Sequence, residues 1–443
     1  MVSLPPGPTL PSPLQLFGFF QRPASFLEQC RDRYGDVFTL HMPASEPMVF
    51  LADPDLVKAV WSQDKINGLP AGRRITLQPV LGPRSVLLLE GDEHLRRRRL
   101  LLPPFHGERM RAYSDLIDEI TLRDIERWPL NEPFALMPRM SAITCDVILR
   151  AVFGTHAGAR EDELRIAIQD VLTRTTSTAT QLSVVLAEAA GKPYTPFHRA
   201  VRRMDAVLLA EIRDRQAAPD LAERDDILSM LVQARDEDGS PMSQEELRDQ
   251  LVTLLLAGHE TTATSLAWAF DALFRNPEVR AKLEASLTEG DEYLDAVIEE
   301  TLRIRPTVHD VGRRLGAPIQ TKDGRTLEAG TAVFASIILL HRRADLFPEP
   351  GAFRPERYLG DAKPSTYSWI PFGGGMRRCL GAAFAQLEMR RVLRTVLLNT
   401  QLEPATSTAE PMERRPVTVV PRHGTPAVLR ARHITPRPSP AAV

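Results

Sequence analysis

Ten residues, Phe372-Gly373-Gly374-Gly375-Met376-Arg377-Arg378-Cys379-Leu380-Gly381, constrain the fold of this chain more than any other stretch. Three consecutive glycines give the backbone conformations that side chains resist, so the chain can fold tightly back beneath a flat group. Cys379 opens a predicted helix that runs to Leu398, where unpaired N–H groups and the helix dipole favour thiolate over thiol. Gly381 leaves one side of the first turn bare, and Arg377 is placed to reach a carboxylate. A soft anionic sulfur, a bare turn and a nearby cation suit haem held by an axial thiolate. The plain alternative, a buried structural cysteine beside a glycine turn, accounts for the sulfur but not for the ten-residue pattern.

The rest of the chain reads as a helical body around that loop. Helical spacing over Pro23 to Tyr34 is followed by two short apolar runs, Val37 to Leu40 and Met48 to Leu51, which read as paired strands. From Asp92 to about Arg275 the period is 3.6 residues, and Ser243-Gln244-Glu245-Glu246 is a capping box that opens a long, buried helix ending near Arg275. Helices over Pro277 to Leu287 and Asp291 to Arg305 follow. Strand-like runs come next at Pro318 to Gln320, Thr326 to Glu328 and Ala332 to Ile338, then a turn-rich loop over Leu346 to Pro371. The expected fold is mainly α, with a small β-rich lobe and no composition break that would mark a linker. A single domain over residues 1–431 and a disordered, Pro-rich tail over 432–443 are expected.

Composition narrows the function further. Lys+Arg 55 against Asp+Glu 57 leaves a net charge of -2, so bulk charge recruits neither nucleic acid nor an anionic membrane. With 3 Cys there is no disulfide framework, and a reducing cytoplasm fits. The amino terminus, Met-Val-Ser-Leu-Pro-Pro-Gly-Pro, lacks the features of a secretory signal. No apolar run approaches the roughly 20 residues of a membrane anchor.

Phe372, Gly375, Arg377, Cys379 and Gly381 fill every fixed position of the pattern Phe-x-x-Gly-x-Arg-x-Cys-x-Gly, and in this the sequence resembles the cytochrome P450 family of haem-thiolate monooxygenases. The resemblance covers about Leu4 to Leu429. It implies a helical prism enclosing haem b, with Cys379 as the axial ligand of the iron. It also implies oxygen insertion into a lipophilic small molecule such as a terpenoid, steroid or fatty acid. No reductase segment accompanies the chain, so electrons are expected from NAD(P)H through a separate ferredoxin and ferredoxin reductase, the enzyme itself being a monomer.

Three further motifs gain meaning beside it. Glu300 and Arg303 lie three apart on one helix face, by themselves an ordinary surface pair; the resemblance implies a buried structural triad with Arg357. In Ala257-Gly258-His259-Glu260-Thr261-Thr262 a carboxylate and a hydroxyl interrupt an apolar helix, a costly placement unless function or local bonding explains it. Thr261 can bond the carbonyl of Ala257, and the resemblance implies that Glu260 and Thr261 are the acid–alcohol pair delivering protons to dioxygen, with His259 pairing locally. In His94-Leu95-Arg96-Arg97-Arg98-Arg99, helical spacing puts His94 and Arg98 on one face. The resemblance implies that these two, with Arg377 and either Arg313 or its neighbour Arg314, contact the haem propionates.

Around these, Ile66 to Val86, Leu172 to Phe197, the helix near Ala257 and Thr307 to Val311 are expected to wall the substrate, with His309 or Asp310 bonding a substrate oxygen or a propionate. A basic patch including Arg97, Arg378 and Arg391 is expected to receive the ferredoxin. His341-Arg342-Arg343 reads as the start of a surface connection, and Cys30 and Cys145 read as buried and unreactive. Two rival functions are a peroxide-driven peroxygenase, which would not need the acid–alcohol pair, and a non-catalytic haem-binding sensor.

Overall fold

The computed structural model describes residues 4–43, 45–70, 77–105, 107, 109–154, 158–176, 180, 183, 187, 195–360, 364–415 and 417–433. In chain order the elements are α1 (Ser12–Gln21), α2 (Pro23–Tyr34), β1 (Val37–Leu40), β2 (Met48–Leu51), α3 (Pro54–Ser62), α4 (Gly91–Leu101), α5 (Arg109–Ile125), β3 (Pro133–Ala135), α6 (Leu136–Phe153), α7 (Gly158–Thr176), α8 (Thr195–Gln216), α9 (Ile227–Gln233) and α10 (Gln244–Arg275). Then follow α11 (Pro277–Ser286), α12 (Glu292–Ile304), β4 (Asp310–Arg314), β5 (Ile319–Gln320), β6 (Thr326–Leu327), β7 (Ala332–Ser336), α13 (Ile337–His341), α14 (Ala382–Asn399), β8 (Thr400–Pro404), β9 (Met412–Arg414), β10 (Val419–Pro421) and β11 (Pro426–Arg432).

The mainly helical body with a small sheet lobe matches the sequence reading. α10 is the organising element. Its 32 residues give a rod of about 48 Å at the helical rise. The capping box forms as read: Glu246 N donates to Ser243 Oγ at 3.2 Å and Ser243 N donates to Glu246 Oε2 at 2.8 Å. α6, α8, α12 and α14 pack around α10, so its apolar residues are buried on nearly every side. The segment leading into α4 is tied to it as well: Arg84 N donates to Asp249 Oδ2, Val86 N to Gln250 Oε1, and the Ser85 and Thr253 hydroxyls share a bond.

The lobe is a four-stranded sheet in the order β1-β2-β7-β4, antiparallel at β1–β2 and β4–β7 and parallel at β2–β7. Its register places Phe38 opposite Phe50 and Phe50 opposite Phe334. The three rings stack with centroids 5.6 Å apart in both pairs, a cross-strand ladder that fixes which face is buried. β3, β11 and β8 form a second sheet against the helical body, and β9 and β10 form a hairpin.

Several expectations need correction. β4 was not anticipated, and the apolar run ending at Ile338 is a strand only to Ser336, after which α13 makes one turn. His341 is therefore no surface connection: it is fully buried, its ring facing the Arg303 carbonyl and accepting from Ile370 N at 2.9 Å. Arg342 and Arg343 reach Glu28 and Asp36. α14 begins at Ala382 rather than at Cys379. Arg432 still belongs to β11, and residues 434–443 of the expected tail lie outside the described residues. No helix among the described residues is long and apolar enough to cross a membrane.

Candidate functional site

The glycine-rich loop is shaped by two positive backbone angles, φ +66° at Gly373 and +65° at Gly375, a region that favours glycine. Cys379 N donates to the Phe372 carbonyl at 2.9 Å, closing the loop. α3 presses on it from outside: a side chain at Gly374 would meet the Trp61 ring at 2.2 Å, and one at Gly375 would meet Asp64 Oδ2 at 2.2 Å. The bare backbone here is thus required by close approach as well as by conformation.

Cys379 lies deep in the protein yet remains accessible, so its side chain opens onto an internal cleft rather than the outer surface. Burial pushes its thiol up, opposed by the Gly381 N–H and by the Arg98 and Arg378 guanidinium groups. The expectation of a thiolate favoured by the helix terminus alone is therefore corrected: burial dominates, and a coordinated cation is what would deprotonate this sulfur outright. Cys30 and Cys145, by contrast, are buried in core contacts and pushed up to about 11 and about 12 by burial.

His94 and Arg98 from α4, Arg313 from β4 and Arg377 from the cysteine loop converge. His94 is pushed down to about 4 by its burial and by the Arg377, Arg98 and Arg313 charges, in that order. Of the two arginines the sequence offered, Arg313 is the buried one in this cluster, whereas Arg314 turns to Glu46 and the Gly330 carbonyl. Asp64, which no sequence pattern singled out, shares this cluster. It accepts from Arg313 Nε at 2.7 Å and from Met376 N at 2.9 Å, so one carboxylate ties β4 to the cysteine loop. Three guanidinium groups and an imidazole gathered near the Asp64 carboxylate make a donor-rich, cationic site, which suits a ligand carrying carboxylates. That donor set, the accessible deep cysteine and the side-chain-free loop together fit haem.

On the helical side, Ala257 is exposed midway along the otherwise buried α10, flanked by half-buried Leu256, Gly258 and Thr261. Thr261 Oγ1 donates to the Ala257 carbonyl at 2.7 Å, and Ser265 Oγ donates to the Thr261 carbonyl at 2.9 Å. These back-bonds loosen the helix around the exposed Ala257. Glu260 is held from outside its helix by Arg415 at 3.2 Å and Thr418 at 3.3 Å. Burial raises its pKa, and these two partners oppose the rise. His259 does not pair locally as expected: its Nε2 lies 2.8 Å from Ser141 Oγ on α6, and burial lowers it to about 4.

The anticipated triad forms as a buried network. Arg303 donates to Glu300 at 2.6 and 2.8 Å, Arg357 Nε to Glu300 at 3.2 Å, and Arg303 also to the carbonyls of His341, Pro350 and Ala352. Asp310 accepts from Arg414 Nη2 at 3.0 Å, and His309 is buried with neither ring nitrogen partnered among the described residues. Arg97 pairs with Glu246 and Arg391 with Asp118, which reduces the expected basic patch to Arg378. The proposed substrate walls at 71–76 and over most of Leu172 to Phe197 lie outside the described residues.

A deep cysteine in a glycine-rich loop flanked by guanidinium groups, within a helical body whose long central helix is interrupted by polar residues and with a small sheet, fits a haem-thiolate scaffold. The model of the family described as Cytochrome P450 matches residues 5–428, and the chain belongs to that family. A Mycobacterium tuberculosis protein provisionally named cytochrome P450 135B1 is 43% identical over 441 residues, covering 97% of this chain and 92% of its own. A second, provisionally named cytochrome P450 138, is 38% identical over 435 residues, covering 98% and 97%. Among solved structures, the retinoic acid-bound cyanobacterial CYP120A1 superposes with a TM-score of 0.83 at 24% identity, over 97% of this chain and 100% of that one. The haem domain of cytochrome P450DA does so with 0.83 at 21% identity, over 98% of each. The family's members are haem-thiolate monooxygenases that take electrons from external donors, and this chain is an oxidoreductase of that kind.

Proposed function

We propose that this enzyme hydroxylates a lipophilic small molecule of the terpenoid, steroid or fatty-acid kind. Its electrons come from NAD(P)H through a ferredoxin and ferredoxin reductase, and it works as a cytoplasmic monomer with residues 1–431 as one haem-enclosing domain. The observation that carries this reading is the convergence of His94, Arg98, Arg313 and Arg377 beside an accessible, deeply placed Cys379. Haem, when bound, supplies the iron at which dioxygen is reduced.

The chain's own residues do the rest. Cys379 donates its sulfur to the metal. Arg98 and Arg377 neutralise the propionates; Arg313, its charge shared with Asp64, contributes its remaining donor and steadies the loop. His94 stays neutral at physiological pH and offers a hydrogen bond rather than a charge. Glu260, whose burial favours the acid form, holds a proton, and the Thr261 hydroxyl hands it on. Leu256 and Ala257 give the cleft an apolar wall that excludes water and receives substrate.

The surface beneath the cysteine loop supports docking of a donor protein. Arg378 is exposed there, beside a cavity of about 370 Å³ lined by Trp61, Tyr367 and Phe372. Replacing Thr261 by Ala tests the proton-delivery role: peroxide release per NADH oxidised is expected to rise at the expense of product, and an unchanged ratio would remove Thr261 from the mechanism.

A further inference from the structure

Glu260 sits on α10, yet the groups that hold its carboxyl come from the turn between β9 and β10. Arg415 Nη1 and Thr418 Oγ1 both donate to Oε1, at 3.2 and 3.3 Å. Oε2 takes no bond from a described residue, and the side chain keeps 16% exposure. The turn is itself fixed from several directions. Arg415 N donates to the Thr418 carbonyl at 2.8 Å, Val419 N to the Thr307 carbonyl at 2.8 Å, and Trp268 Nε1 on α10 to the Val419 carbonyl at 3.0 Å. Arg414, next in sequence, bonds Asp310 and lies 4.0 Å from the centre of the Phe19 ring.

We propose that the β9–β10 turn is a positioning device for proton transfer, in which Arg415 and Thr418 pin one oxygen of Glu260 so that protons pass through the other. The proposal rests on the acid–alcohol reading of Glu260 and Thr261. A buried carboxyl without partners would stay protonated and rotate; a cation and a hydroxyl on one oxygen fix its orientation and make its proton easier to release. The proton lost from Oε2 is replaced from solvent water, so Glu260 returns to its starting state at each turnover. Of the other titratable groups near this stretch, His259 turns to Ser141 on α6, and Glu388 on α14 is buried with neither carboxylate oxygen hydrogen-bonded among the described residues.

The test is an infrared difference titration of the Glu260 carboxyl in the holoenzyme, with Glu260→Gln as the assignment control. Arg415→Met is expected to move the midpoint up by about 1–3 pH units, Arg415→Lys to restore most of it, and Thr418→Val to move it less in the same direction. A midpoint unchanged in both Arg415→Met and Thr418→Val overturns the proposal. Peroxide release per NADH oxidised, driven by a surrogate ferredoxin and reductase, separates the two levels. If Glu260→Gln releases no more peroxide than the wild type, the acid–alcohol reading falls and the positioning role with it. If Glu260→Gln releases more while Arg415→Met does not, only the positioning role falls.

Discussion

Asp64 joins three things that must stay in register: the Arg313 side chain, the backbone of the cysteine loop and the end of α3. Its side chain is fully buried, so truncation to Ala leaves the Arg313 cation unpaired inside the protein. We expect a loss of about 3–5 kcal/mol in urea unfolding, with Asp64→Asn losing less because it keeps the shape. Gly374→Ala places a methyl against the rigid Trp61 ring and is expected to cost about 1–3 kcal/mol and to lower haem content measured by pyridine haemochrome. At this scale legibility was uneven. Cys379, His94 and Arg98 were readable because each needs neighbours at fixed spacing. Asp64 and Arg415 were not, because a lone charge in a polar connection looks the same whether it faces solvent or, by tertiary folding alone, a buried partner more than a hundred residues away.

The Glu300–Arg303–Arg357 network shows what an element contributes beyond its own helix. Arg303 is fully buried and binds carbonyls of α13 and of the loop that leads to the cysteine, so α12 anchors that loop from within. Glu300→Ala is expected to destabilise the protein by about 3–5 kcal/mol in denaturant unfolding and to expose the segment around Ala352 to hydrogen exchange. Ser243→Ala, which removes only the cap of α10, should cost about 1 kcal/mol. Elements with a repeating signal were legible to the residue: α2, β1 and β2 fall where the apolar pattern places them. β4 and α13 were not, because five residues hold too little periodicity to separate a strand from a single helical turn, and strand pairing with β7 rather than local preference defines β4.

At the level of the whole molecule, His94, His259 and His341 are held neutral by burial, at about 4, about 4 and about 3. A histidine with a lowered folded pKa contributes stability that is present above its unfolded value of 6.5 and is lost as pH falls through the folded value. For His259 the lost contribution is about 3 kcal/mol. The difference in unfolding free energy between wild type and His259→Gln should therefore shrink by about that amount between about pH 7 and pH 4. The near-neutral net charge of -2 concealed this interior, where cations gather beside the cysteine and their counterions come from distant segments. The central claim is that Cys379 holds haem through its sulfur, and the carbon monoxide difference spectrum of the reduced protein tests it most directly. The wild type should give the red-shifted Soret band of thiolate ligation, and Cys379→His should replace it with the band of an imidazole-ligated haem. A wild type without the red-shifted band, or a Cys379→His variant that keeps it, would contradict the account.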